Sequence, residues 1–406
     1  MSQLDRLREA LRTSRALGGT PERAPEPRPR TRTGDPALGR ILGGGWVSSE
    51  RGPTFLKETA IPGEHRHGEV ELGSLLRFGP SELALVAGPG AELAPERVGF
   101  LDIETTALSG GTGTCAFLVG LGRFRGGEFV LRQYFLADLA EEPALLSALA
   151  SEVSGLDALA TYNGRAFDLP VLEARSTLAR LGTAWCRRPH VDLLRPVRRL
   201  WGPRLASCRL VEAETATAGF RREGDVPSEQ VPSIYFDYLR AGRIAPLRAV
   251  FRHNAWDIAS MVAILASVLR LLSSEAPSGA EAAWLGRWWE LEGRPERAEG
   301  LYRTAISSLD AAGPAAAEWA FAARRYALLR KRAGARREVV ELWRRLWAAG
   351  DARAGVEIAK YLEHEARDFR AAEEVARRLL EAAPADERPE LERRLCRIRS
   401  KGQSWV

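Results

Sequence analysis

Lysine is nearly missing from this chain. Only Lys57, Lys331, Lys360 and Lys401 are lysines among 59 basic residues, so the positive charge is carried by arginine. Cysteine is as scarce. Cys115, Cys186, Cys208 and Cys396 form no CxxC pair, which excludes a disulfide framework and a zinc ribbon. Cys186, His190 and Cys208 offer three metal donors, but their spacing fits no zinc motif and scattered thiols are the simpler reading. Long apolar runs are missing too. The stretch from Ile258 to Leu269 reaches 12 residues before Arg270, against the roughly 18 to 20 needed to cross a bilayer. Asp5, Arg6, Arg8, Glu9, Arg12 and Arg15 interrupt the first 20 residues, which leaves no apolar core for an export signal. A cytoplasmic protein without membrane association is expected. No GK[ST] motif is present, and the glycines of SGGTGTC read as a turn between strands rather than a phosphate loop, so ATP use is not indicated.

The 406 residues are 45% apolar and 28% charged, the balance of a globular chain with material for two or three domains. Residues 1–40, rich in Pro and Arg, read as a flexible arm, and residues 41–97 as an extension that packs on the following domain. Residues 98–272 alternate short apolar runs with helical patterns. Strands are expected at Val98 to Glu104, Ala116 to Phe124, Glu128 to Leu136, Ala158 to Tyr162 and near His190, with helices at Glu142 to Val153 and Arg165 to Leu181. This is an α/β domain with a mixed five-stranded sheet flanked by helices. After a linker at 273–282, residues 283–400 keep only helical spacing. Three similar stretches begin at Gly293, Gly334 and Ala366, 41 and then 32 residues apart, which brackets the period of about 34 of tetratricopeptide repeats. Trp284, Trp288, Trp289, Trp319, Trp343 and Trp347 lie among these helices, to fill their seams or to line a concave face.

In VGFLDIETT the strand alternation puts Asp102 and Glu104 on one face. Paired carboxylates shielded from water are unfavourable unless protonated or bridged by a cation, and hard oxygen donors suit Mg²⁺ or Mn²⁺; a solvated strand face is the alternative. TYNGRAFDLPVL brings Asp168 into a helix after a strand, at the carboxyl edge of the sheet where sites form. FRHNAWDIASMVAIL places His253 and Asp257 four apart on one helix face. Four carboxylates with a histidine are what two-metal phosphoryl chemistry requires: two divalent ions about 4 Å apart, with the histidine orienting or deprotonating the water.

FLDIETT, YNGRAFD and HNAWD, in this order, resemble the motifs of the DnaQ-like or DEDD exonucleases. That resemblance implies a ribonuclease H-like fold and metal-dependent cleavage from the 3′ end, with Asp102, Glu104, Asp168 and Asp257 as metal ligands and His253 as general base. More narrowly, DIETTALSGGTGTCAFLVGLG, HVDLLRPVRRLW and the segment from Ser207 to Leu239 look like the YprB-type proteins, which join this domain to tetratricopeptide-like repeats. Ala107 stands where the superfamily often has glycine. The four-residue step from His253 to Asp257 is that of the tyrosine-type subgroup, whereas the histidine-type usually has five.

Thr106, Leu108, Tyr162, Asn163 and Phe167 flank the carboxylates as candidate contacts to a terminal nucleotide, with core burial the alternative for Phe167. Asp192 is either a fifth acid near the metals or a helix N-cap. Six arginines between Arg187 and Arg204, including Arg195, Arg198 and Arg199, are candidates for phosphate contact. A second basic cluster, from Phe321 to Trp347, reads as a solvated face with nucleic acid as the alternative partner. The expected function is a two-metal exonuclease on single-stranded DNA or RNA ends, with the repeats recruiting a protein partner. The alternative is a catalytically weak nucleic-acid-binding and interaction platform.

Overall fold

A computed structural model of the chain describes residues 33–88, 90–107 and 113–403. Two compact units divide between Ser273 and Ser274. The first unit is built on one mixed sheet of strands β1 (Gly45–Ser49), β2 (Gly52–Ile61), β5 (Val98–Thr105), β6 (Ala116–Arg125), β7 (Glu128–Phe135), β8 (Ala158–Thr161) and β9 (His190–Asp192); β3 (Arg66–His67) and β4 (Val70–Glu71) form a separate ribbon. The sheet order is β1-β2-β7-β6-β5-β8-β9. Pairs from β1 through β5 are antiparallel, and β5, β8 and β9 run parallel. The sheet has seven strands rather than the expected five because the hairpin β1–β2, drawn from residues read as an extension, pairs through β2 with β7. That hairpin covers an edge that would otherwise expose unpaired backbone groups.

Residues 1–32 of the expected arm lie outside the described residues. The arm does not extend to residue 40, since Pro36–Leu42 is a helix whose N-terminus is capped by Asp35, accepting from Ala37 N at 2.8 Å. Leu38 and Leu42 are buried, so this helix contributes to the core. Proline at the first helical position and aspartate before it are start signals within a Pro-rich segment.

The central helix of the unit is Leu247–Leu272, 26 residues long. It is long and apolar enough to cross a membrane by length and composition, with a mean hydropathy of 1.7, but 78% of that window is buried in the fold. It lies close on β6 because glycines face it there. A Cβ on Gly120 would stand 2.3 Å from Asn254 Oδ1 and from Ile258 Cδ1, closer than atoms approach.

The second unit contains helices only among its described residues, from Gly279–Leu291 to Arg388–Gln403, and consecutive helices pack on one another. Trp284, Trp288, Trp289, Trp319 and Trp343 are buried in the seams between them. Arginines cover three tryptophan faces: Arg297 on Trp289, Arg345 on Trp319 and Arg378 on Trp347.

Candidate metal centre

Three elements converge at the carboxyl edge of the sheet. β5 carries Asp102 and Glu104 near its end, and the parallel register Phe100↔Ala160 sets the end of β8 beside it. After β8 the chain turns through Asn163, held at φ 64°, and enters the helix Asp168–Leu178 with Asp168 as its first residue. Asp168 had been expected one turn into that helix; the turn at Asn163 to Phe167 delays the start. Asp102, Glu104 and Asp168 line a cavity of about 360 Å³ together with Thr105, Tyr162, Asn163 and Phe167. Behind Glu104 stand His253 and Asp257 of the central helix. The Nε2 of His253 is 4.0 Å from Glu104 Oε1 and 3.6 Å from Asp257 Oδ2. Glu104 thus faces both the cavity and the helix pair.

Burial and mutual repulsion raise these acids. The Asp102 carboxyl is pushed well above the usual range, first by burial and then by Asp257, Glu104 and Asp168. Burial, with Asp257, Asp168 and Asp225 adding to it against His253, carries Glu104 to about 8. Asp168 rises to about 7 through burial, partly offset by hydrogen bonds from its own backbone amide and that of Ile103. Burial works to lower His253, but Asp257, Glu104 and Asp225 outweigh it and the imidazole is raised. Glu104 Oε1 is buried without a hydrogen-bond partner. Clustered acids of raised pKa and an orphaned carboxylate oxygen are relieved when a cation is bound, so these residues fit a divalent metal. Among the described residues, Glu104, His253 and Asp257 are the one group of three whose donor atoms lie within 4.8 Å of one another. Cys186, His190 and Cys208 do not assemble in this way; His190 Nε2 instead meets Thr161 Oγ1 at 2.8 Å.

The most telling neighbours were not among the expected site residues. Asn254, fully buried, donates from Nδ2 to Asp102 Oδ2 at 2.8 Å. Its own Oδ1 accepts from Gln133 Nε2 at 2.9 Å, and Gln133 also donates to Phe251 O at 2.7 Å. Asp102, Gly120 and Gln133 are opposite one another across three strands, and the missing side chain of Gly120 leaves the space Asn254 fills. On the other side, Arg222 is 4% exposed and donates to Asp257 Oδ1 at 2.5 Å, to Glu214 at 2.7 and 2.8 Å and to Asp225 at 3.1 Å. Asp225 lies 2.9 Å from His253 Nδ1 through both oxygens. HNAWD contains Asn254 in plain sight, but a buried asparagine inside a helical pattern signals nothing about its partner. Gln133 sits in no motif, and Arg222 and Asp225 lie inside the segment from Ser207 to Leu239, whose resemblance assigned neither of them a role.

The ribbon β3–β4 is tied to this network. His67 stacks on Phe220 with ring centroids 3.7 Å apart, and its Nε2 is 2.7 Å from Ser260 Oγ, whose hydroxyl donates to Glu214. His65 remains exposed.

Other expected contacts are placed less centrally. Leu108 lies outside the described residues. Thr106 does not line the cavity; its Oγ1 accepts from Cys115 N at 3.0 Å and shapes the loop. The Tyr162 hydroxyl is committed to Cys208 O at 2.6 Å, leaving the ring to face the cavity. Arg195, Arg198 and Arg199 belong to the helix Leu194–Leu200 and are not among the cavity's lining residues. Asp192 Oδ1 accepts from Leu194 N at 3.1 Å and Asn163 N at 2.8 Å, which makes it a cap and a loop tether rather than a fifth metal donor.

Comparison with known proteins places this geometry. The RNase_H_2 family, described as RNase_H superfamily, matches residues 99–269. The chain is 29% identical over 374 residues to the uncharacterized protein YprB of Bacillus subtilis strain 168, covering 86% of each. A family B DNA polymerase from the archaeon Pyrobaculum calidifontis aligns at 17% identity and a TM-score of 0.35, over 49% of this chain and 29% of the polymerase. The mixed sheet and its flanking helices are consistent with an RNase H-like fold over residues 99–269, in a chain similar over most of its length to YprB.

Proposed function

We propose that the chain is a metal-dependent nuclease that hydrolyses phosphodiesters, acting as a 3′ to 5′ exonuclease on single-stranded ends with two divalent ions, Mg²⁺ or Mn²⁺. One observation carries the reading: Asp102, Glu104, Asp168 and Asp257 come together at one edge of a sheet whose residues 99–269 match the RNase H superfamily, and the buried carboxyls of Asp102, Glu104 and Asp168 are raised, as in a cluster suited to cations. Bound there, divalent ions activate water and stabilise the leaving oxygen.

The chain's own groups prepare that chemistry. Asn254, held by Gln133, fixes the rotamer of Asp102. Arg222 fixes Asp257, and Asp225 fixes the ring of His253. The rings of Tyr162 and Phe167 border the cavity and offer faces on which terminal bases stack. The helical unit supplies tetratricopeptide-like surfaces for a protein partner.

A second reading, binding with little turnover, is favoured by the Arg222–Asp257 ion pair, which occupies one oxygen of a proposed ligand. End-labelled single-stranded and duplex DNA and RNA, incubated with Mg²⁺, Mn²⁺ or EDTA, separate the two. A metal-dependent ladder, lost by at least ~100-fold in Asp102→Ala and Asp257→Ala, supports the nuclease. Binding without cleavage under every metal favours the platform.

A further inference from the structure

The helical unit holds a groove of about 810 Å³, walled by the helices Ala352–Tyr361, Phe369–Ala382 and Arg388–Gln403. Part of its lining is apolar. Leu379 and Leu391 are buried there, and Trp347 and Val356 are half-buried. Gly355 lets Trp347 and Leu379 lie close to the helix that carries it, because a Cβ would stand 2.7 Å from Trp347 Nε1 and 2.8 Å from Leu379 Cδ2. Cations line the same space. Arg353 and Arg378 are exposed without an ion pair among the described residues, Arg378 lying over the Trp347 ring at 4.6 Å. Arg394 also lines the groove, although it is only 8% exposed. Its Nη1 is buried without a hydrogen-bond partner and stops 3.6 Å from Glu363 Oε2, on a carboxylate already bonded by Arg397 and Lys401. A buried guanidinium short of a full partner is costly until an anion completes it.

We infer that this groove docks an acidic segment of another protein, its carboxylate drawn to Arg394, Arg353 and Arg378 and a neighbouring apolar side chain packed on Trp347 and Leu379. Charge decides the occupant. Asp351, on the same lining, is committed to Arg324 and to the amides of Arg353 and Ala354 that begin its helix. Glu387 and Glu390 are exposed on the lining as well, and they repel a polyanion such as nucleic acid. A single carboxylate with an apolar neighbour suits both the arginines and the tryptophan. Residues 1–32 of the chain itself carry more arginine than acid and do not match that charge. The inference rests on the partner role proposed for the helical unit and is independent of the metal chemistry.

Panning a displayed library of random peptides against the full chain tests this. Enriched peptides are expected to set acidic residues beside aliphatic or aromatic ones. A fluorescent peptide so selected should bind ~10- to 100-fold more weakly to Arg394→Gln, the loss that follows removal of a charged hydrogen bond. Trp347→Ala should weaken it too, with metal-dependent cleavage unchanged in both variants. Arg353→Glu, at an exposed position, decides the matter should Arg394→Gln fail to fold. Selected peptides that bind Arg394→Gln and Arg353→Glu as tightly as the unaltered chain overturn the groove while leaving a partner role elsewhere on the helices standing. A library that yields no binder overturns both. Displacement of the selected peptide by single-stranded DNA or RNA overturns the acidic segment as occupant in favour of nucleic acid.

Discussion

His67 shows what burial does to a single titratable side chain. Burial, with Arg222 and His65 adding to it, lowers its pKa from the ordinary 6.5 to about 3. Above pH 6.5 the imidazole is neutral whether the chain is folded or not, and its contribution to stability is complete. Below that, the unfolded chain takes up a proton that the folded chain refuses, so stability falls as pH drops from 6.5 toward 3. The slope from this one group is about 1.4 kcal/mol per pH unit. Urea unfolding at a series of pH values should show that slope flattened in His67→Gln, and an unaltered slope would refute the assignment. Asn254 acts by hydrogen bonding rather than by charge. Replacing it with leucine frees Asp102 and strands the Gln133 amide, which is expected to cost on the order of 1–3 kcal/mol of stability. It should also reduce metal-dependent cleavage by about 10- to 100-fold, as removal of a group that orients a ligand does. Full activity in Asn254→Leu would show that Asp102 needs no such support.

At the scale of elements, the site depends on how closely the central helix approaches the sheet. Gly120 and Gly122 on β6 leave no side chain beneath Asn254 and Ile258. Adding one methyl at Gly120 forces the helix outward or displaces Asn254 from Asp102. Gly120→Ala should therefore destabilise the first unit by about 1–3 kcal/mol, the usual penalty for overpacking. Cleavage should fall with it, because the same displacement loosens the Asn254–Asp102 bond. Chemical unfolding followed by the nuclease assay measures both, and an unaffected stability would mean that the close approach is dispensable. The hairpin β1–β2 illustrates a related point. Its strands are ordinary in sequence, but pairing with β7 makes them the outer part of the same sheet that carries the acids.

For the molecule as a whole, the two units hold their own cores, and their stabilities should be separable. In the helical unit the fully buried Glu363 carboxylate accepts from Arg397 and Lys401, each at 2.8 Å, with Arg394 at 3.6 Å. Against burial that would raise it, Arg397 and Lys401, with His364 adding to them, hold its pKa down at about 2. Its contribution is therefore present above the ordinary carboxylate range and lost as pH falls through about 2. Glu363→Ala leaves the buried Arg394 and the half-exposed Arg397 and Lys401 without their shared anion and should cost on the order of 3 kcal/mol, near the low end for a buried pair because Arg397 and Lys401 keep contact with water. Scanning calorimetry should show one transition shifted downward and the transition of the nuclease-like unit, reported by its Mn²⁺ dependence, unmoved. A joint shift of both would show that the units unfold together.

The hairpin β1–β2 and the helix Pro36–Leu42 were not legible in the chain, whereas the order of the strands from Val98 to His190, the helical character of the remainder and the acidic motifs were. These features are carried by local periodicity and by side-chain types that recur at short spacing, and the carboxylates announce themselves because two acids on a buried strand need a reason. Residues that meet only through folding were not legible. Asp225 and His253 are separated by 28 positions, Arg222 and Asp257 by 35, Gln133 and Asn254 by 121, and Asn254 and Asp102 by 152. No periodicity links such pairs. Their roles follow from the register that aligns Asp102, Gly120 and Gln133 and from the turn of one helix that sets His253, Asn254 and Asp257 against them. The same holds for the direction of His253 Nε2. Motif spacing places the ring near the acids, but which nitrogen faces them is decided by Asp225, which tertiary packing alone brings to Nδ1.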